Sequence, residues 1–169
     1  MNATSPNELS PQERSKIVDF LDSHPVGVIA TVNSDGNPHA STIYFSVDND
    51  LNVSFTTKRD TNKHKNISQH DTVMLAAYDS ESQSTVQLTG RATEVHEPEQ
   101  AQQIYRGTLR AADHTGEDNV PPIAKIPAGP YVAYIIRPSD IWMSDYSWGN
   151  NFANALSQLQ EPANTDDPA

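Results

Sequence analysis

Hydrophobic and polar residues alternate along much of the chain with a period of two, which is typical of half-buried β-strands. Short runs of turn-forming residues separate these stretches, as at residues 34–37 and 48–50. The predicted strands are residues 26–33, 38–47, 51–57, 72–78, 84–95, 131–137 and 140–144. Gly90 lies inside the fifth of them and predicts a bend or β-bulge of the kind that barrels use at corners.

The first predicted helix has a clear start signal. Ser10, Pro11 and Glu13 form a capping-box pattern, and the apolar residues that follow face one side of a helix. This helix should end near Ser23, ahead of Pro25.

Other helices are predicted only between or after the strands. Asp60 or Thr61 can cap a short helix that runs to about residue 70, and residues 97–109 begin with helix-start features. Three further segments have weaker patterns: residues 110–129 indicate a long loop, 151–160 a weak helix and 161–169 a disordered acidic tail.

Strands joined by short turns, with helices only around them, predict a β-barrel with α additions, of the α+β class. We expect six or seven antiparallel strands in a closed or nearly closed barrel. Residues 10–160 should form a single domain, since a chain of 169 residues suits one core of ordinary size.

Composition excludes several classes of function. The formal net charge of −11 argues against nucleic acid or an anionic membrane as the main partner. The absence of cysteine excludes disulfides, thiol chemistry and cysteine-based metal sites. No signal-peptide pattern and no bilayer-length apolar run is visible, so a cytoplasmic protein is expected.

One stretch, which we call the basic segment (residues 55–67), differs in charge from the rest. Four of the 11 Lys and Arg residues lie in it, namely Lys58, Arg59, Lys63 and Lys65, and the remaining chain has 7 basic and 21 acidic residues. A strand that leads into a helix N-terminus presents unpaired N–H groups and the positive end of a dipole, beside hydroxyl groups and lysines. The segment is therefore either a phosphate site or a solvated loop that aids solubility.

The order and spacing of several motifs resemble the pyridoxamine 5′-phosphate oxidase-like, FMN-binding split-barrel family. The most specific is Thr57-x3-Thr61-x-Lys63-x3-Ile67, which is similar to the T-x3-S-x-K-x3-L signature of that family. The turn Asp35-Gly36-x-Pro38-His39-x-Ser41 and the strand Val86-x3-Gly90-x-Ala92 support the resemblance. It covers residues 26–95 well and the C-terminal half loosely.

The resemblance implies a cofactor, an assembly and a set of site residues. It implies that one strand runs beside the FMN ring, that a threonine pair contacts the flavin and that a lysine at the helix start holds its phosphate. It also implies a homodimer with the cofactor between the two chains. The cofactor-binding residues are then Ser41, Thr42, Ile43, Tyr44, Thr56, Thr57, Thr61, Asn62 and Lys63.

The chain departs from the true oxidase at three positions. Ser41, Ser46 and Asn62 stand where the oxidase has basic residues, and its C-terminal Arg and His motif is missing, so oxidation of pyridoxamine phosphate is not expected. Relatives of this fold use FMN, a deazaflavin or haem, and some bind no cofactor. We expect FMN, with the others as alternatives.

The histidines show no metal-site spacing. His39 is expected at a surface or interface, with a role as general acid as the alternative. His64 and His70 are expected to be exposed helix residues; a haem site would require one of the histidines as axial ligand. No nucleophile elbow is present.

Two further groups have competing interpretations. Trp142, Tyr146 and Trp148 favour core packing over stacking on a flavin, and Arg91 and Arg137 favour ion pairs over substrate binding. The preferred function is an FMN-dependent oxidoreductase that transfers hydride or electrons to a small, unidentified substrate. The alternative is a non-enzymatic flavin-, deazaflavin- or haem-binding protein of the same fold. No catalytic residue is predicted, because the flavin performs the chemistry.

Overall fold

The computed structural model describes residues 4–113, 122–125 and 129–145. A short 3₁₀ helix, Pro6–Glu8, precedes the regular elements. Those elements are α1 (Pro11–Ser23), β1 (Val26–Val32), β2 (Pro38–Val47), β3 (Val53–Lys58), α2 (Asn62–Gln69), β4 (Thr72–Asp79), β5 (Ser84–Val95), α3 (Pro98–Asp113), α4 (Pro122–Lys125) and β6 (Tyr131–Asp145).

The six strands close into an antiparallel barrel in the order β1-β2-β3-β6-β5-β4. The period-two pattern explains the closure, because alternate side chains of every strand point inward and form one core. The largest buried side chains include Ile29, Phe45, Phe55, Leu75 and Ile136. The predicted fold class, an antiparallel barrel with helical additions, is confirmed.

Helix α1 packs on the barrel. The capping box is formed, since the Ser10 hydroxyl accepts from the Glu13 N–H at 3.3 Å and the Glu13 carboxylate accepts from the Ser10 N–H at 2.9 Å. Ile17, Phe20 and Leu21 are buried and belong to the same core cluster as the barrel residues. The predicted start and end of this helix are confirmed.

Strands β2 and β3 pair over only three residues. Phe45, Ser46 and Val47 face Phe55, Ser54 and Val53, after which the two strands have no further pairing. β2 continues beside β1 as far as Pro38, and β3 continues beside β6 to Lys58. The barrel wall is therefore split between the first part of β2 and the end of β3.

The C-terminal strand corrects one prediction. Residues 131–137 and 140–144 were expected as separate strands, but β6 is continuous and the barrel has six strands. The pairing shifts between Thr89 and Gly90, as the predicted bulge requires, and Gly90 faces Pro138 there. A Cβ atom on Gly90 would overlap the carbonyl of Arg137. The bulge thus accommodates a proline that would otherwise interrupt the strand.

Two other boundaries differ from the predictions. β3 begins at Val53 because Leu51, with a φ of 66°, belongs to the preceding turn. Helix α3 runs four residues past 109, with Ala111 and Ala112 buried, and residues 122–125 are also helical, so part of the predicted loop is wrong. The predictions for residues 151–160 and 161–169 lie outside the described residues. In the described ranges, no helix has the length and apolarity needed to cross a membrane.

Candidate functional site

A cavity of about 640 Å³ opens at the split between β2 and β3. It is lined by all nine residues that the sequence predicts as cofactor-binding, which are Ser41, Thr42, Ile43, Tyr44, Thr56, Thr57, Thr61, Asn62 and Lys63. They lie on β2, at the end of β3 and at the start of α2. The fold therefore brings these residues together, and their contact with a cofactor stays a prediction.

The lining of the cavity includes residues from both sides of the barrel wall. On β2, Ser41 faces the buried Ile29 across the β1 ladder, whereas Thr42 faces the exposed Val28. Residues that face each other in an antiparallel pair project to the same side of the sheet. The β2 lining thus alternates between the inner and the outer side of the wall, as expected where two strands separate.

A network of hydroxyl groups shapes the N-terminal end of α2. Thr61 is the N-cap of α2: its Oγ1 accepts from the His64 N–H at 3.3 Å and lies 2.7 Å from the Lys58 carbonyl oxygen. The hydroxyl groups of Thr57 and Thr61 are 3.1 Å apart. The first amides of α2 have no intrahelical acceptor, so this end of the cavity can donate hydrogen bonds to an anion.

Lys63 is the cation of this corner. Only 9% of its surface is exposed, and its Nζ lies 5.9 Å from the centre of the Phe55 ring. Among the described residues, no carboxylate lies within ion-pair distance of it. Burial lowers the pKa of Lys63 to about 8, because the charged form loses hydration without gaining a counter-ion.

The other three cations of the basic segment have different surroundings. Arg59 forms an ion pair with Glu94 at 2.8 Å, and Lys65 is exposed. Lys58 lines the cavity and its Nζ lies 4.9 Å from the centre of the Tyr131 ring. Only two of the four cations therefore face the cavity.

Three residues of the lining are absent from the predicted cofactor-binding set: His39, Lys58 and Thr108. Of these, the sequence had singled out His39 as a candidate general acid and Lys58 as part of the basic segment, and only Thr108 was missed altogether. The Thr108 hydroxyl, on α3, lies 3.1 Å from the Thr56 hydroxyl. Nothing in the local sequence of α3 indicates this contact, because it depends on how the helix packs over the barrel. His39 could have been predicted from its position, because it lies two residues before Ser41 and alternate residues of a strand project to the same side.

The prediction that His64 is exposed is wrong. His64 is buried, and its Nδ1 lies 2.8 Å from the Tyr134 hydroxyl oxygen. Burial is the main cause that lowers the pKa of His64, since the imidazolium would lose its hydration there. His70 is exposed, as predicted.

The other candidates have mixed outcomes. Arg91 forms the predicted kind of ion pair, with Asp71 at 3.0 Å. Trp142 is half-buried, while Tyr146 and Trp148 lie outside the described residues, so the aromatic cluster stays a prediction. In the part of the chain that the structure describes, no three His, Asp or Glu side chains are grouped as a metal site would require.

A second cavity, of about 630 Å³, lies at the C-terminal end of α2. Its described lining consists of Val32 and residues 67–72, which include Asp71 and no lysine or arginine. It has none of the anion-binding features of the cavity at the split.

Comparison with known proteins gives one family match. A family model described as pyridoxamine 5′-phosphate oxidase matches residues 14–146. No curated protein sequence matches the chain significantly.

Solved structures share the fold at low identity. A conserved hypothetical protein from Mycobacterium tuberculosis is 22% identical with a TM-score of 0.65, over 80% of this chain and 87% of that one. A pyridoxamine 5′-phosphate oxidase-related, FMN binding protein from Nostoc punctiforme is 16% identical with a TM-score of 0.58, over 84% and 87%. A protein named F420 reductase is 21% identical with a TM-score of 0.57, over 73% and 94%.

Proposed function

The chain belongs to the pyridoxamine 5′-phosphate oxidase-like family, and on that premise we propose that it is an FMN-dependent oxidoreductase. In this proposal it transfers a hydride or electrons between the flavin and a small-molecule substrate. Pyridoxamine phosphate is not the proposed substrate, because the chain has Ser41, Ser46 and Asn62 where the family resemblance implies basic residues in the true oxidase.

The observation that carries the proposal is the charge of the cavity lining. The described residues that line the cavity include two lysines, one histidine and no acidic residue. The whole chain nevertheless has a formal net charge of −11. Acidic side chains are thus kept out of this cavity, as expected for a site that holds a phosphate carrying about two negative charges.

The residues present fit FMN in three respects. A volume of about 640 Å³ falls within the range of about 300–1,000 Å³ that is usual for small-molecule sites. Lys63, the Thr57 hydroxyl and the free N–H groups in the first turn of α2 would hold the phosphate. Thr61, whose hydroxyl is engaged with the Lys58 carbonyl and the His64 N–H, would fix the start of the helix beside it. The β2 edge from Ser41 to Tyr44 is not paired to β3, so its backbone groups are available to hydrogen-bond the polar edge of a ring.

When bound, FMN supplies the redox chemistry, and the protein supplies position, electrostatics and access. Lys63, itself almost fully buried, would balance the charge of the phosphate. Thr108, through its contact with Thr56, would fix the α3 wall of the cavity. No side chain is assigned a catalytic role.

We also propose that the protein is a homodimer with the cofactor at its interface. The outer side of β1 and β4, which we call the β1–β4 face, exposes Val28, Val32, Met74 and Tyr78, between 36% and 59% each. Val28 lies directly opposite Thr42, which lines the cavity. A second copy on this face would bury apolar side chains and adjoin the cavity.

The alternative is a non-enzymatic flavin carrier or a deazaflavin-binding protein. The structural likeness to a protein named F420 reductase supports the deazaflavin alternative, since a corner suited to the phosphate of FMN would also suit a phosphate group on another ring cofactor.

The absorption spectrum of freshly purified protein, followed by turnover with NAD(P)H and an artificial electron acceptor, tests the proposal. Flavin absorption together with turnover is the expected result. Flavin binding without turnover would favour a carrier, and a deazaflavin spectrum would favour the alternative cofactor. A Soret band, or no binding of added FMN, would overturn the proposal.

A further inference from the structure

Two buried polar atoms of β2 have no hydrogen-bond partner among the described residues. They are Nδ1 of His39 and Oγ of Ser41. Buried polar atoms are almost always hydrogen-bonded, so an unpaired one requires an explanation. Both side chains line the cavity at the split, and the two residues are separated by one position on the same side of β2.

The end of β2 that carries His39 is tied to the helix that carries Lys63. The Thr31 hydroxyl accepts from Nδ2 of Asn66 at 2.9 Å and lies 3.3 Å from the carbonyl oxygen of His39. Asn66 is one helical turn beyond Lys63, and both side chains are buried on the same side of α2. The unpartnered Nδ1 of His39 and the Lys63 side chain therefore belong to one wall of the cavity.

We propose that His39 binds the anionic group of the cofactor, with Nδ1–H donating to an oxyanion oxygen beside the Lys63 ammonium. This inference rests on the proposed function and adds a ligand-binding residue to it. The chemical class is a phosphate monoester or a similar oxyanion, which has enough acceptor oxygens for several donors. Ser41 supplies a second, neutral donor next to His39. His39 and Ser41 together offer hydrogen-bond donors at a place where the true oxidase has a basic residue, in the position that corresponds to Ser41.

The test separates the two imidazole nitrogens. In His39→Asn the amide nitrogen can occupy roughly the place of Nδ1, whereas in His39→Gln it reaches the place of Nε2. We expect His39→Gln to weaken FMN binding by about 10-fold, the lower end of the effect of losing a hydrogen bond to a charged group. His39→Asn should stay within about 3-fold of the wild type, and riboflavin affinity should not change in either variant. His70→Gln, at an exposed histidine, is the matched control.

Three results would overturn the inference. If Lys63→Ala weakens FMN binding and His39→Gln does not, His39 is not an anion ligand while the proposed function stands. If His39→Gln weakens riboflavin and FMN equally, His39 contacts the ring. If His39→Asn and His39→Gln weaken FMN binding equally, Nδ1 is not the atom that contacts the anion.

Nitrogen NMR of the wild-type protein covers the case in which the variants do not fold or no flavin binds. Addition of inorganic phosphate should shift the His39 Nδ1 resonance and leave that of His70 unchanged. A phosphate-dependent shift without FMN binding would support the anion contact while the proposed cofactor fails. No shift at His39 would overturn the inference.

Discussion

The Nδ1 atom of His64 lies 2.8 Å from the hydroxyl oxygen of Tyr134, a residue 70 positions away in the chain. His64 belongs to α2 and Tyr134 to β6, and both side chains are buried. The contact therefore ties the helix of the anion corner to the last strand of the barrel. The Tyr134 ring also stacks on Phe55, with centroids 5.4 Å apart.

Removal of this hydrogen bond should destabilise the protein. We expect Tyr134→Phe to lower the free energy of unfolding by about 1–3 kcal/mol, because the buried imidazole would lose its partner. Urea unfolding of Tyr134→Phe provides the measurement, and His70→Gln, at an exposed residue outside the proposed interface, provides its control. Equal stability of Tyr134→Phe and the wild type would show that the contact contributes nothing.

Replacement of Lys63 should weaken FMN binding through the phosphate. A charge-assisted hydrogen bond contributes about 1.5–3 kcal/mol, so Lys63→Ala should raise the Kd for FMN about 10- to 100-fold. Riboflavin, which lacks the phosphate, should bind with unchanged affinity. Flavin fluorescence titrations measure both constants.

Lys65→Ala is the matched control for Lys63→Ala, because Lys65 lies in the same helix but is exposed. Lys58→Ala should have a smaller effect than Lys63→Ala, although Lys58 also lines the cavity. Equal small losses for all three lysines would indicate a diffuse positive surface. An equal loss for riboflavin would mean that Lys63 supports the fold.

The lowered pKa of Lys63 predicts a pH dependence of binding. Burial brings this pKa from 10.5 to about 8 in the ligand-free protein, and a bound phosphate should raise it again. FMN affinity should therefore fall as the pH rises above about 8, since binding then requires proton uptake. Lys63→Arg stays protonated, so its FMN affinity should not fall between about pH 7 and pH 9.5. Riboflavin titrations over the same range control for ionisation of the ring.

The pH dependence of the stability of the ligand-free protein has the opposite sign to the pH dependence of FMN affinity. Between about pH 8 and 10.5 the unfolded chain holds the Lys63 proton that the ligand-free fold has released. This group should therefore make the ligand-free protein more stable as the pH rises through that window. Thermal unfolding of the wild type relative to Lys63→Met should show the difference. A constant difference between the two proteins over this range would contradict the assigned pKa.

A charge on the β1–β4 face should dissociate the proposed dimer. We expect the wild type to have about twice the 18.6 kDa mass of one chain, and Val28→Glu to have the mass of one chain, because a buried unpaired carboxylate is costly. Light scattering with FMN present measures both. Thr93→Glu, at an exposed residue of β5 outside this face, should remain dimeric. A wild-type monomer with flavin bound would refute the shared site.

The positions of the predicted site residues were accessible from sequence because the signals are local. The Thr61 cap, the period-two strand before it and the lysine two residues after it lie within a few positions of one another. Such near neighbours determine where a strand ends and a helix begins. The resemblance to a known family then linked this corner to Ser41 and its neighbours on β2.

Local signals predicted five of the strands within a few residues, the α1 capping box, the Gly90 bulge and the cation at the start of α2, because each depends on periodicity or on contacts a few residues apart. The pairing of β3 with β6, the separation of β2 from β3 and the burial of His64 follow from the folded barrel and have no local signal. Barrel closure fixes these features by joining distant segments. Because His64 is polar, the sequence predicts that it is exposed. The hydroxyl group of Tyr134, 70 residues away in the chain, offsets the cost of burying it by hydrogen bonding.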